Sequence, residues 1–323
     1  MPALLLAAAE PASLKTFSDW AVGCDNGRLC QAVGLVPEDD LDAATMMVLR
    51  RSEADAEPRV SFSMAADGAP WVEVDGRRFK ALDVASDDGD TAVPPQARAF
   101  LDALLAGRKA ALIGPDGKPV GTLSTAGASA ALLYMDDKQG RVGTVTALAR
   151  RGAKPAAEVP PPPPLPVVQA PPASSKPARM ASAAAIAAVR DDMTCETPAE
   201  EEAAQAYRLD DRHSLVLVPV KCGSGAYNFL SVALVVDEAG KARPGEFERE
   251  KGGETNWLMN AEWVAEERRL STYGKGRGIG DCGVSQAYAW DGVRFRLVEQ
   301  HQMDECRGSL DWITTWRAEV RPR

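Results

Sequence analysis

The chain has 323 residues, of which 45% are hydrophobic and 26% are charged, a balance typical of globular proteins. This length allows two domains that each bury a core of their own. Residues 1–152 contain 16 basic and 21 acidic residues, a net charge of −5, which leaves −4 of the total −9 for the remainder. Neither part is basic enough for a phosphate-binding face, which argues against a nucleic-acid partner.

The chain begins with a short apolar run, M-P-A-L-L-L-A-A-A-E-P-A, which contains a small-x-small step from Ala7 to Ala9. This pattern resembles the end of a secretory signal peptide that lacks the usual basic start. We therefore predict that residues 1–12 are a leader and that the protein is periplasmic or secreted. The alternative is a frayed apolar tail on a cytosolic protein. The run is too short to span a bilayer, and no later stretch reaches spanning length.

Residues 13–153 are predicted to form an α+β domain whose sheet is mostly antiparallel. The D-N-G turn at positions 25–27 predicts a hairpin, because Asn and Gly accept a positive φ, and its two strands carry Cys24 and Cys30. Strand and turn signals predict four further strands and two helices. The strands are Thr45 to Arg51, Arg59 to Met64, Trp71 to Val74 and Ala110 to Ile113, and the helices are Pro95 to Ala106 and Ala126 or Gly127 to Lys138.

Asp136 and Asp137 fall in the last turn of the second of these helices. The helix dipole disfavours a negative charge there by about 0.3–1 kcal/mol for each residue. One interpretation is that Arg141 or another basic side chain balances the two carboxylates. The other is a polar-ligand or cation site formed by Asp136, Asp137 and Gln139, and these three remain candidate binding residues.

Residues 154–179 are rich in proline and have neither a helical nor a strand period. Proline fixes φ near the polyproline II value and removes a backbone donor. We therefore predict a linker between two domains, residues 13–153 and residues 180–323. As a polyproline II helix, Lys154 to Pro177 would extend about 70 Å, at about 3.1 Å per residue, and would act as a spacer.

Residues 180–323 are predicted to form a β-rich domain, mostly antiparallel, behind a helix at Ala181 to Arg190. Strands are predicted from Leu215 onward and at Ala226 to Val236, Asn256 to Trp263, Glu266 to Tyr273, Val284 to Trp290, Arg294 to Gln302 and Asp311 to Glu319. Five tryptophans lie in this part of the chain: Trp257, Trp263, Trp290, Trp312 and Trp316. Exposed tryptophans would indicate glycan or peptide recognition, but we interpret these five as core residues.

A glycine-rich stretch, K-G-R-G-I-G-D-C-G, runs from Lys275 to Gly283 and contains G-x-G-x-x-G at positions 278–283. A dinucleotide fingerprint also requires a helix that opens at the glycines, whereas the residues that follow here are typical of a strand. We predict no nicotinamide or flavin cofactor. The main interpretation is a structural loop anchored by Cys282. The alternative is an anion-binding nest helped by Lys275 and Arg277, and Asp281 is a further candidate binding residue of this stretch.

Six cysteines are divided between the two predicted domains, two in the first and four in the second. Even numbers in each are typical of separately folding, disulfide-bonded domains of exported proteins. We favour the pairs Cys24–Cys30, Cys195–Cys222 and Cys282–Cys306, although four cysteines allow three connectivities. No pair has C-x-x-C spacing, which disfavours redox and zinc-ribbon sites, and a four-cysteine zinc site in the second part is the alternative.

The sequence predicts no catalytic residue and no metal site. The only histidines are His213 and His301, so the first domain cannot hold a Ser-His or Cys-His pair by itself. Motifs of phosphate-binding loops, serine hydrolases and zinc proteases are also missing. An enzyme remains the less favoured alternative: an envelope hydrolase that uses carboxylates such as Asp281, or His301, near the glycine-rich loop.

Several stretches together resemble a known family. They are the opening W-A-V-G-C-D-N, M-D-D-K-Q-G-R-V-G-T-V-T-A-L from Met135, the proline-rich linker, C-G-S-G-A-Y-N from Cys222, the glycine-rich stretch and D-E-C-R-G from Asp304. This order of blocks resembles the domain-of-unknown-function family numbered eleven seventy-six, exported proteins of Gram-negative bacteria. The opening alone is similar to the invasion-associated locus B family. The resemblance implies export and an envelope location, and it implies no catalytic residue, substrate or cofactor.

From these features we predict a disulfide-stabilised exported protein that binds an envelope or extracellular partner, either a protein or a glycan. A purely structural spacer is a further alternative.

Overall fold

A computed structural model of the protein describes residues 10–37, 44–63, 71–83, 91–92, 96–191, 202–220, 224–248 and 256–323. These residues form mostly antiparallel sheets with three α-helices, which confirms the predicted α+β class. Contacts group the chain into two compact units. Unit 1 comprises Met1–Pro164, Gly280–Cys282 and His301–Trp316, and unit 2 comprises Leu165–Ile279, Gly283–Gln300 and Arg317–Arg323.

Unit 1 contains two antiparallel sheets and two helices. The seven strands of the larger sheet are β1 (Lys15–Phe17), β2 (Trp20–Cys24), β3 (Cys30–Gly34), β4 (Thr45–Arg50), β5 (Arg59–Ser63), β8 (Leu82–Asp83) and β9 (Thr91–Ala92), in the order β1-β2-β3-β4-β5-β9-β8. The smaller sheet contains β6 (Trp71–Val74), β7 (Arg77–Lys80), β10 (Ala110–Ile113) and β11 (Pro119–Leu123), in the order β11-β10-β6-β7. The helices are α1 (Ala97–Ala106) and α2 (Ala128–Lys138).

Strands β2 and β3 of the larger sheet in unit 1 are buried at every position. The sheet is therefore covered on both faces at these two strands. Side chains point alternately to the two faces of a strand, and one set packs with residues of α1 and α2 in the main core. The other set, Ala21, Val33 and Leu35, packs against Met303 and Ile313. Residues near the C-terminus therefore complete unit 1, and the units differ from the predicted contiguous division at residues 154–179.

Two predicted disulfides are present, and both lie in unit 1. Cys24 and Cys30 are directly opposite each other on β2 and β3 and are bonded, and Cys282 is bonded to Cys306. The four-cysteine zinc site is therefore wrong, because a cysteine held in a disulfide cannot supply a thiolate ligand. The remaining pair, Cys195 and Cys222, lies outside the described residues.

Unit 2 contains three sheets and helix α3 (Ala183–Asp191). In the first sheet the order is β13-β14-β15-β16, with β17 also paired to β15; these strands are β13 (Gln205–Arg208), β14 (Ser214–Val220), β15 (Leu230–Val236), β16 (Ala242–Pro244) and β17 (Trp257–Met259). The second has the order of the chain, with β18 (Glu262–Val264), β19 (Arg269–Lys275), β20 (Gly283–Trp290), β21 (Phe295–Met303) and β22 (Ile313–Arg317). Of these strands, the end of β21 from His301 and nearly all of β22, up to Trp316, are grouped with unit 1. The third sheet pairs β12 (Val167–Ala170) with β23 (Glu319–Pro322).

Buried tryptophans confirm most of the predicted core. Trp263, Trp290 and Trp316 are buried, but Trp257 is 46% exposed. The predicted single strand from Asn256 to Trp263 is two strands, β17 and β18, because Asn260 adopts a left-handed φ of 46° and breaks the extended backbone.

The proline-rich segment is attached to both units. At its start, the Lys154 amide donates to the Gly143 carbonyl in unit 1. At its end, β12 forms a parallel pair with β23 in unit 2, and Val168 is buried there against Ala289 and Val298. The predicted role of the segment as a spacer stays a prediction. In the parts of the chain that are described, no helix is long and apolar enough to cross a membrane.

Candidate functional site

The structure places Asp136 inside unit 1, in the last turn of α2, with no solvent exposure. Its carboxylate accepts hydrogen bonds from the amides of Leu148 (2.9 Å) and Ala149 (2.8 Å), and Oδ1 lies 3.7 Å from Nη1 of Arg50. Arg50 is therefore the basic side chain that forms the ion pair with Asp136, as the interpretation with Arg141 or another basic residue allows. Asp137, the next residue, is exposed.

Gln139 is also buried and fully engaged with its neighbours. Its Nε2 donates to the carbonyls of Arg28 (2.9 Å) and Arg50 (3.0 Å), while Oε1 accepts from Nε of Arg141. Arg141 in turn donates to the carbonyl of Ala54 at 2.9 Å. The M-D-D-K-Q-G-R stretch thus fixes the end of α2 to the chain that follows β4. The predicted binding role of Asp136, Asp137 and Gln139 stays a prediction, and the structure supplies internal partners for the two buried residues.

Burial of Arg50 changes its chemistry. Loss of solvation lowers the pKa of its guanidinium to about 9, and repulsion from Arg141 and Arg98 adds to that effect, while Asp136 partly opposes it. Its Nε donates to the Ala56 carbonyl, whereas Nη1 and Nη2 have no hydrogen-bond acceptor among the described residues. Asp136 is the counter-ion of this buried guanidinium.

The glycine-rich stretch divides between the two units. Asp281 belongs to unit 1, is fully buried and accepts a hydrogen bond of 2.7 Å from the Gly308 amide, next to the Cys282–Cys306 bridge. Lys275 and Arg277 belong to unit 2, where Arg277 is exposed and Lys275 is half-buried. Asp281 thus has an internal partner, and the predicted binding role of Asp281, Lys275 and Arg277 stays a prediction.

Two asparagines of unit 2 join three loops that are far apart in the sequence. Asn228 donates from Nδ2 to the Lys275 carbonyl at 2.9 Å and accepts the Lys275 amide at 3.0 Å. Its Oδ1 also accepts from Nδ2 of Asn260 at 3.2 Å. The loop before β15 is therefore fixed to the end of β19.

Asn260 makes the remaining connections. Its Oδ1 accepts the Phe229 amide at 2.9 Å, and Nδ2 donates to the carbonyls of Tyr227 (3.2 Å) and Tyr273 (2.6 Å). We call residues 224–229, 260–261 and 273–279 the asparagine-tied loops. Each Oδ1 and Nδ2 atom of Asn228 and Asn260 forms a hydrogen bond within these loops.

Large side chains project from the asparagine-tied loops into solvent. Phe229 is 58% exposed and Ile279 is 67% exposed. The Tyr227 ring lies against Gly278, where an added Cβ would be 3.5 Å from the ring, and it remains partly exposed. Lys275 places its ammonium 5.3 Å from the centre of the Tyr273 ring. Rigid backbone and exposed aromatic groups are what a binding surface requires.

Trp257 is exposed on the face of the β15–β17 pair that lies opposite to the face of Phe229. It lies opposite Val232, whereas Phe229 is opposite Asn260, three positions away on each strand. Because side chains alternate between faces, Trp257 and Phe229 point to opposite sides of the sheet. This difference makes Trp257 a matched control for Phe229.

A cleft of about 330 Å³ adjoins the asparagine-tied loops on the Phe229 side of the sheet. Its walls are apolar at Leu217, Pro219, Phe229, Leu230 and Ala261 and polar at Glu202, Gln205, Ser231 and Asn260. The volume lies at the lower end of the range for ligand pockets, about 300–1,000 Å³. The cleft and the loops together form the candidate site.

Unit 1 has a larger and more open cleft, of about 780 Å³, beside the turn after β6. The Asp75 carboxylate at this cleft accepts the amides of Arg108 and Lys109, and Glu73 pairs with Arg78 at 2.8 Å. Both carboxylates are thus satisfied by neighbouring groups, and the cleft carries no exposed aromatic side chain on its wall. It is the weaker candidate.

The two histidines lie in structural surroundings. His213 contacts the Asp210 carboxylate through Nδ1 at 3.0 Å, and Trp290 donates to the same carboxylate at 2.7 Å. Burial raises the pKa of Asp210, but hydrogen bonds from Trp290, Arg212 and His213 outweigh it and leave the pKa below its ordinary value. No serine, threonine or cysteine nucleophile contacts His213 in the part of the chain that is described.

His301 lies in unit 1, where Nδ1 is 3.2 Å from Oγ1 of Thr314. Across the described ranges, no three His, Cys, Asp or Glu side chains are grouped so that they could hold a metal ion. The predicted absence of a catalytic or metal centre remains a prediction.

Comparison with known proteins assigns the chain to a family. The model of a family described as "Protein of unknown function (DUF1176)" matches residues 14–319. The chain belongs to the DUF1176 family. A relative described as the uncharacterized protein YpfG of Escherichia coli (strain K12) is 30% identical over 344 residues, which is 95% of this chain and 93% of the relative. No solved structure matches the chain.

Membership of the DUF1176 family confirms the resemblance inferred from the blocks of sequence, while the similarity of the opening to the invasion-associated locus B family stays a prediction. The block that starts at Met135 forms the buried contacts of Asp136, and D-E-C-R-G carries Cys306. The block that contains Asn228 forms part of the asparagine-tied loops. The sequence gives no sign of the roles of Asn228 and Asn260, because neither residue lies in a pattern that indicates its hydrogen-bond partners.

Proposed function

We propose that this protein is an exported, disulfide-stabilised binding module, periplasmic or secreted, whose asparagine-tied loops contact an envelope or extracellular partner. The observation that carries the proposal is the pair Asn228 and Asn260. Their side chains hold Tyr227 and Phe229 in place at the surface, where these aromatic groups add little to the core of unit 2. Exposed aromatic side chains on a fixed backbone are characteristic of recognition sites.

Export is supported by the disulfides Cys24–Cys30 and Cys282–Cys306, because such bonds persist in oxidising compartments and are rare in the cytosol. The apolar start of the chain supports the same proposal. Mass spectrometry of the alkylated protein, isolated from periplasmic extract under non-reducing conditions, should find all four of these cysteines unmodified. Free thiols at these positions would contradict export.

The hydrolase alternative has less support. Asp281 is buried and accepts the Gly308 amide, and Nδ1 of His301 lies 3.2 Å from the Thr314 hydroxyl. The spacer alternative is weakened by the contacts of Lys154 with Gly143 and of β12 with β23.

Binding can be tested by sedimentation with the envelope fraction of Escherichia coli. The full-length oxidised protein should sediment with this fraction, and the Tyr227→Ala/Phe229→Ala double variant should lose about ten-fold in apparent affinity, because truncation of an aromatic anchor has an effect of this size. Trp257→Ala, on the other face, should change it by less than about two-fold. Equal sedimentation of wild type and the double variant, or none by wild type, would refute the proposed site.

A further inference from the structure

We propose that the partner of the asparagine-tied loops is an acidic polysaccharide, a sugar chain that carries carboxylate groups. This inference rests on the proposed function and adds the chemistry of the partner. It follows from the charge of the loops, the shape of the exposed groups and the way in which the nearby strand edge is closed.

Charge identifies the sign of the ligand. The asparagine-tied loops contain Lys275 and Arg277 and no acidic residue, whereas the whole chain has a net charge of −9. With Glu202 on the wall of the adjoining cleft, the candidate site still has more positive than negative charge. A cationic surface on an acidic protein attracts an anionic polymer, and the rest of the protein repels it. Within the described residues Lys275 has no ion pair, and its ammonium lies over the Tyr273 ring.

The exposed groups fit sugar rings. The apolar C–H face of a pyranose packs on an aromatic ring, and Tyr227 and Phe229 present such rings beside the two cations. The adjoining cleft offers an amide, a hydroxyl and a carboxylate at Gln205, Ser231 and Glu202, groups that bond sugar hydroxyls. A polymer with both rings and charges would engage the cleft and the loops together.

The strand edge argues against an extended peptide. Strand β18 covers only residues Arg269 to Ser271 of β19, so Tyr273 and Lys275 would otherwise present an open edge to which a peptide strand could add. Asn228 occupies both the amide and the carbonyl of Lys275, and Asn260 occupies the Tyr273 carbonyl. With the edge closed by side chains, recognition falls to the aromatic groups and the cations.

The test uses the full-length oxidised protein and isothermal titration calorimetry at low salt. Two acidic polysaccharides, polygalacturonate and hyaluronate, carry rings and charge. Fully methyl-esterified polygalacturonate keeps the rings without the charge, and poly-L-glutamate keeps the charge without the rings. At least one acidic polysaccharide should bind about ten-fold more tightly than both controls, since neither rings nor charges alone satisfy the surface.

Variants locate the binding. Phe229→Ala should weaken the polysaccharide about ten-fold and Lys275→Gln/Arg277→Gln about five-fold, while Trp257→Ala should change it by less than about two-fold. Thermal unfolding of each variant checks that the fold is intact.

Failure of both acidic polysaccharides to bind, or binding of poly-L-glutamate with equal affinity, would overturn the inference. Equal binding of the methyl ester would overturn its ionic part and with it the acidic ligand. If the protein still sediments with envelopes in a Tyr227- and Phe229-dependent manner, the proposed function stands and the partner is a protein or a neutral glycan. If that dependence is also lost, both ideas fail.

Discussion

At the scale of single residues, the adjacent carboxylates of Asp136 and Asp137 should contribute very differently to the free energy of unfolding. Asp136 is buried against Arg50, whereas Asp137 is exposed. Asp136→Asn should lower the free energy of unfolding by about 3–5 kcal/mol, because it leaves the Arg50 guanidinium buried without its counter-ion. Asp137→Asn should change it by less than about 0.5 kcal/mol. Urea unfolding of both variants measures the difference, and similar losses would contradict the assigned roles.

The side chain of Asn260 supports the asparagine-tied loops, and its backbone also has a left-handed φ of 46°. Asn260→Gly removes the side-chain hydrogen bonds but tolerates that φ, so it should lower the free energy of unfolding by about 1–3 kcal/mol. Asn260→Ala should cost about 1 kcal/mol more, because a Cβ disfavours the left-handed region. Thermal unfolding of the two variants separates these effects. If they unfold alike, the backbone conformation at Asn260 contributes nothing of its own.

Acid should weaken the protein through Asp210. Its folded pKa lies below the ordinary 3.8, so the unfolded chain binds the proton more readily. The stability from Asp210 is therefore complete above the ordinary carboxyl pKa and is lost as the pH falls through the lower folded value. Asp210→Asn should be less stable than wild type at about pH 7, and this deficit should shrink by about pH 2.5. Urea midpoints at both pH values measure it, with exposed Asp211→Asn as the control; a deficit that does not change with pH would contradict this account.

The positions of these residues could be predicted from the sequence, but their partners could not. Helical punctuation placed Asp136 in the last turn of α2, while Arg50 is contributed by β4, 86 positions earlier in the numbering. Likewise, Lys275 was selected for its charge, whereas Asn228, which holds its backbone, is 47 positions away. Hydrogen bonds between distant loops leave no local period in the sequence.

At the scale of elements, the hairpin of β2 and β3 was fully predictable, because the D-N-G turn sets the register that brings Cys24 opposite Cys30. Strand β12 was not, since its residues lie among prolines and its partner β23 is near the other end of the chain. The hairpin signal did not predict that β2 and β3 would be buried at every position. This burial indicates a sheet with a core on both faces.

The two observed disulfides close loops of different length, with sequence separations of 6 and 24 residues. In the chain-entropy model, removal of the first bond should cost about 2 kcal/mol and removal of the second about 3 kcal/mol. Cys282→Ala/Cys306→Ala should therefore be less stable than Cys24→Ala/Cys30→Ala. Chemical unfolding of the two double variants tests the order. The reverse order would indicate that packing within the hairpin outweighs loop closure.

At the scale of the whole molecule, unit 1 is discontinuous in the sequence, which composition could not reveal. The proline-rich segment marks a change in composition, and the chain crosses from unit 1 to unit 2 within it, after Pro164. Yet Met303 and Ile313 return to cover Ala21, Val33 and Leu35. Burial of apolar side chains decides where a segment packs, and this is a long-range property that no linker signal encodes.

Cleavage within the segment tests this organisation. A protease site inserted between Pro162 and Pro163 of the folded protein should yield two fragments that elute together in gel filtration, because the second fragment supplies residues 280–282 and 301–316 to unit 1. A separately produced fragment of residues 1–164 should bind an apolar dye, since it lacks the residues that cover Ala21, Val33 and Leu35. Fragments that separate after cleavage and remain folded would instead indicate two independent domains. Joint elution would mean that the C-terminal part of the chain stays bound to the N-terminal sheet of unit 1, which its apolar side chains cover.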